Sequence, residues 1–266
     1  MQIEKLPARH GWRWIIEALR LFGRQPMALL SLTAFSLLLV WVPTAFAQTI
    51  LPAVAWPIPM LLTPLVTVGM VSTARDVDRG KPPMPSVLFA GFRASGPWRK
   101  LLILGAINAL ASRAIVGLAA VFSGMDAGSL ALTDGIASDE AAQLPAFDYT
   151  PLAVVALLMV PLQMTMWYAP LFVAWNDASV PKSLFFSFAA VMRNRWAFLI
   201  YVFSWVLLVG LSLKALMLVV PSQAARMLLT FPVFVLVSSL IYCATWLSYR
   251  DAVRDSEQPE LRPPAA

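Results

Sequence analysis

Few residues in this sequence are of a type that does chemistry, and those few lie in apolar surroundings. Asn108, Arg113 and Gln163 interrupt long hydrophobic runs. Lipid offers a polar group no hydrogen bond, so each is a functional hypothesis by default. Arg113 stands about 18 Å along its run at a helical rise of 1.5 Å per residue. Its stem reads as snorkelling outward toward an acidic segment that follows. The alternative is an anion-binding residue facing a cavity in a helix bundle. Ser112 shares the face of Asn108 at i+4 spacing. Asn108 and Gln163 read as hydrogen-bonding glue between helices, the commoner use of such groups. Lys214 stands near the end of its run and most simply snorkels. A second set, Arg13, Arg20 and Arg24, lies on the polar side of an amphipathic stretch and reads as contacts to lipid head groups.

The inventory excludes most catalysis. There is one histidine, His10, and one cysteine, Cys243. Zinc and haem sites lack their ligands, no Ser-His-Asp set can be assembled, and a disulfide framework is ruled out. No phosphate-cradling Gly-x-x-x-x-Gly-Lys loop is present. The expectation is a non-enzymatic protein with no cofactor and no metal. Arg residues interleaved with Trp and Phe imitate a nucleic-acid surface, yet their place beside apolar runs assigns them to lipid heads.

The elements that carry these residues are membrane helices. Hydrophobic residues are 59% of the chain and charged residues 13%, against about 25% charged in a soluble domain. A crossing takes about 20 apolar residues. Six stretches qualify: 27–47, 50–74, 101–122, 151–175, 197–220 and 227–249. The second carries Pro52, Pro57, Pro59 and Pro64, which bend it. Residues 45–48 read Ala-Phe-Ala-Gln after a basic leader and an apolar core. Two readings stand: a retained first span, or cleavage after Ala47, which leaves five spans and an outer N-terminus. The expected organisation is one transmembrane domain over 1–252 and a disordered cytoplasmic tail over 253–266.

Basic residues orient the bundle. Of the 20 Lys and Arg, only Arg113, Lys214 and Arg226 lie outside 1–26, 75–100, 176–196 and the tail, which fall on alternate sides of the spans. The segment 123–150 has five acids and no base, and reads as a flexible acidic connector, with a lid or docking site as the sharper alternative. Both termini are expected in the cytoplasm of a bacterial inner membrane.

A unit recurs along the chain. Spans end Ala74-Arg75-Asp76, Trp175-Asn176-Asp177 and Tyr249-Arg250-Asp251. Short aromatic amphipathic stretches at 86–92 and 183–188 precede the third and fifth spans. Before the first, Trp12, Ile15, Ile16, Leu19 and Phe22 form an apolar stripe opposite Arg13, Glu17, Arg20 and Arg24. This predicts three units of interfacial helix, span, span, with the apolar stripe sunk into lipid. The repeated aspartates read as staples to nearby Lys and Arg, or alternatively as a shared cation site.

Several stretches carry a likeness. Gly11-Trp12-Arg13-Trp14, Phe22-Gly23-Arg24-Gln25-Pro26, Tyr168-Ala169-Pro170-Leu171-Phe172-Val173-Ala174-Trp175, Lys182-Ser183-Leu184-Phe185-Phe186-Ser187-Phe188 and Arg193-Asn194-Arg195-Trp196 resemble a family of six-span inner-membrane proteins, largely from beta- and gammaproteobacteria. The chain also looks like a distant relative of the membrane domain fused to some glycerophosphodiester phosphodiesterases. The resemblance implies an all-α polytopic bundle and carries over no catalytic residue. Together these readings predict a protein that organises lipid or supports a membrane partner complex. Its partners are anionic lipids, a membrane protein or a second copy, and no nucleic acid. The competing class is a transporter or channel for a small, anionic solute.

Overall fold

The long uncharged runs become helices, because backbone groups in hydrocarbon must bond within their own segment. The computed structural model describes residues 2–92, 96–123, 150–220 and 222–254. The acidic connector, apart from its two ends, and the tail beyond residue 254 lie outside the described residues. Six helical segments are long and apolar enough to cross a membrane: α2 (Pro26–Ile50), α4 (Pro57–Asp78), α6 (Trp98–Ser123), α7 (Thr150–Met166) with α8 (Ala169–Asn176), α10 (Arg195–Val219) and α11 (Gln223–Ala252). The protein is an all-α polytopic bundle.

Prolines place the boundaries that the apolar runs left vague. The second span starts at Pro57 rather than at residue 50, because Pro52 opens a one-turn helix, α3 (Pro52–Ala55), before Pro57 opens α4. Proline suits a first turn, where its missing N–H is not needed. The fourth span breaks at Trp167 and Tyr168, just ahead of Pro170. There Ser187 repairs the helix. Its Oγ donates to Met164 O at 2.8 Å and accepts from Tyr168 N at 2.9 Å, so one hydroxyl is spliced into the lost i to i+4 bond.

Besides α3, three short helical segments accompany the spans among the described residues: α1 (His10–Arg24), α5 (Pro85–Leu88) with a 3-10 turn at Phe89–Phe92, and α9 (Val180–Arg193). Short helix, span, span thus recurs three times. Each short segment packs on the second span of the preceding unit: α5 and its 3-10 turn on α4, and α9 on α7 and α8. The first closes the ring, since α1 packs on α11 and also on α10. Those second spans form the centre. Helix α4 touches α8 and α11, while α8 meets α11 through Trp175, whose ring lies 5.0 Å from Tyr249 and 5.8 Å from Trp246.

The first and last described residues join at the basic end of this bundle. Strand β1 (Gln2–Ile3) pairs antiparallel with β2 (Val253–Arg254), and Glu4 N donates to Ala252 O at 2.9 Å. The expected disordered tail over 253–266 is corrected here: Val253 is buried and paired, so the ordered domain runs at least two residues further. Asn194, between α9 and α10, clamps the N-terminal segment. Its Oδ1 accepts from Leu6 N at 2.7 Å and its Nδ2 donates to Glu4 O at 3.0 Å.

Candidate functional site

Helix α1 positions the first set of candidates, and it does so differently from the sequence stripe. Trp14, Ile15, Ala18 and Leu21 are its buried apolar residues. Gly11 belongs to the same face, where a Cβ would strike the backbone of Ala197 in α10. Only a glycine lets the two backbones meet this closely. The packing face is therefore rotated by roughly 90° from the expected stripe, at 3.6 residues per turn. Trp12 and Leu19, 49% and 52% exposed, form a separate apolar flank. Arg13, Arg20 and Arg24 follow on the third side. Packing face, apolar flank and basic face run in one rotational order. Helix α9 repeats it, with Ser183, Ser187, Ala190 and Val191 buried, Phe185 and Met192 exposed, then Lys182 and Arg193.

The three arginines have different duties. Arg13 pairs with Glu17 one turn on. Arg24 donates to Asp78 O at 3.2 Å and lies 3.6 Å from its carboxylate, joining α1 to the end of α4. Arg20 is exposed.

Below them lies a network that the sequence did not reveal. Arg250 sits in the last turn of α11, where a cation meets the negative end of the helix. Its guanidinium reaches Glu17 at 3.1 Å, Asp78 at 3.1 Å and Asp251 at 3.2 Å. Trp246 Nε1 donates to Asp78 and Trp14 Nε1 to Asp251, both at 3.0 Å. Three carboxylates thus face Arg250, Arg24 and Arg13, and the charges balance. Of the repeated aspartates, Asp251 holds α1, and Asp177 takes Lys100 at 2.6 Å. In the first unit Asp78, not Asp76, makes the ion pairs. No shared cation site forms from the trio, since Asp177 and Asp251 have separate partners.

Arg75 occupies the place in α4 that Arg250 has in α11. Its guanidinium lies 4.7 Å over the centre of the Trp175 ring. Tyr249 OH, beside that ring, donates to Asn176 Oδ1 at 3.0 Å. The Arg75 Nε is buried with no acceptor.

The intramembrane candidates are not bonded into one polar cluster among the described residues. Asn108 is half-buried, with an Oδ1 that finds no donor. Arg113 is five residues on, roughly 140° around the helix, and exposed. Its guanidinium lies 5.9 Å over the Trp56 ring. Gln163 is exposed on α7. Among the described residues no hydrogen bond joins any two of the three.

No protein-family model matches the chain, and no solved structure does. A probable inner membrane protein of Burkholderia thailandensis is 31% identical over 276 residues, covering 98% of this chain and 98% of its own length. The chain belongs to that inner-membrane protein family. As a member of the family it is a multi-pass membrane protein, and its six apolar helices are its spans. The exposed apolar residues, such as Phe203, Val206 and Leu207 on α10, are then lipid contacts rather than an unfilled surface.

Proposed function

We propose that this protein is a non-enzymatic organiser of the inner membrane. Its basic end faces the cytoplasm, gathers anionic lipid and presents that surface to a membrane partner. The three-sided α1 carries the reading. A helix anchored along one face, apolar on the next and basic on the third rests at the boundary between acyl chains and head groups. Its Trp12 and Leu19 enter the acyl region while Arg20 meets phosphates. The orientation rests on the excess of Lys and Arg at the end where residues 2–3 pair with 253–254. Distant kinship with the membrane domain fused to some glycerophosphodiester phosphodiesterases is part of the same reading.

The test compares lipid carried by purified wild type with that carried by Arg20→Gln combined with Trp12→Ala, a pair that spares Glu17 and Asp78. One surface cation contributes about 1 kcal/mol of attraction to anionic lipid. The ratio of phosphatidylglycerol to phosphatidylethanolamine retained should fall about fivefold at most. An unchanged ratio, with Arg13 and Arg24 neutralised as well, removes the lipid role.

A further inference from the structure

At the basic end one half-buried cation, Arg75, makes no ion pair among the described residues. Aligning the span ends places Arg75, Asn176 and Arg250 in equivalent positions of the three units. Arg250 is enclosed by Glu17, Asp78 and Asp251. Asn176 is neutral. Arg75 is half-buried, yet among the described residues it makes no ion pair and no side-chain hydrogen bond, and its Nε is shut off from solvent. Asp78, one turn on, is committed to Arg250, Arg24 and Trp246, and Asp76 makes no ion pair with it.

A guanidinium partly withdrawn from water and held in no ion pair is costly. Trp175 offsets part of that through its ring face. Stacking of this kind leaves the N–H groups at the rim of the guanidinium, the arrangement that recognises oxyanions in pairs. Arg79, four residues further, adds positive field that Asp76 beside Arg75 offsets only in part. The position is the inner end of the central helices, at head-group depth if the basic end faces the cytoplasm.

We propose that Arg75, over Trp175 and beside the Tyr249–Asn176 pair, forms a phosphate-binding site at the basic end of the three central helices. The phosphate belongs to a lipid head group or is free in solution. Only the lipid source rests on the function proposed above.

Full-length protein in a neutral detergent is titrated with phosphatidylglycerol, and the bound lipid is counted by native mass spectrometry. A parallel series adds inorganic phosphate as competitor. Wild type should hold one lipid or phosphate more tightly than the rest. Arg75→Gln should weaken that event about tenfold, the loss of one charge-assisted contact. Arg75→Lys, which keeps the charge and loses the fork, should fall between. Arg20→Gln with Trp12→Ala should leave this event alone while lowering total anionic lipid, so the two proposals fail separately. Competition by phosphate assigns a free anion, and its absence assigns a head group. The site is overturned if folded Arg75→Gln or Arg75→Lys binds as wild type does. It is equally overturned if wild type holds neither lipid nor phosphate above the background of weak sites.

Discussion

Arg250 Nη1 lies 3.1 Å from Asp78 Oδ2 and so ties the basic end of the sixth span to that of the second. The same guanidinium reaches Glu17 of α1, and its side chain is 15% exposed. Removing one partner of such a group strands the others, which costs about 3–5 kcal/mol. Arg250→Met should therefore lower stability by about that amount, read from unfolding in detergent. Combining it with Asp78→Asn should recover part of the loss, because one stranded charge is removed. Equal stability of Arg250→Met and wild type would mean the network holds nothing.

The six spans were legible because hydrophobic length is a one-dimensional property of the chain. The alternation of basic segments was legible for the same reason. The face of α1 was not. A stripe counted by apolarity gathers Trp12, Ile16 and Leu19, whereas close packing selects Gly11 and Ala18 beside Trp14. Small residues count for little on a hydropathy scale and for much where backbones touch. The Asp78 cluster was hidden by distance along the chain, since its partners come from residues 24, 246 and 250. Asp76 shared the local motif but not the neighbours. Ser187 lay in a segment notable for its phenylalanines, and only the break at Tyr168 gives its hydroxyl a purpose.

Ser187→Ala should destabilise the fourth span. The methyl group fills nearly the same space but leaves Met164 O and the buried Tyr168 N unpaired. Unpaired buried groups cost about 1–3 kcal/mol. Ser187→Thr keeps the hydroxyl and should retain more stability in the same unfolding assay. If alanine and threonine variants unfold alike, the spliced hydroxyl contributes nothing.

Asn194→Leu should release the N-terminal segment without unfolding the bundle. The amide holds Leu6 N and Glu4 O, while β1 adds only two paired residues. Hydrogen exchange of the Leu6 amide should speed up by about tenfold or more, as expected when one hydrogen bond of roughly 1.5 kcal/mol is lost. Amides in the middle of α11 should keep their protection. Unaltered exchange at Leu6 would place the clamp elsewhere.

A solute pathway through the bundle would wet Asn108, Arg113 and Gln163 together. The structure instead sets Asn108 and Arg113 on different faces and leaves Arg113 and Gln163 on the exterior of the helices. Lipid, not water, should surround Gln163. Asn108→Cys and Gln163→Cys should accordingly react slowly with a charged, membrane-impermeant thiol reagent added to either side. The background is low, because Cys243 is the sole native cysteine and is fully buried. Rapid labelling of both introduced cysteines would reveal a water-filled passage and return the protein to the transporter class. Slow labelling of both leaves the chemistry of this protein at its basic end, where Arg20 and Arg75 stand.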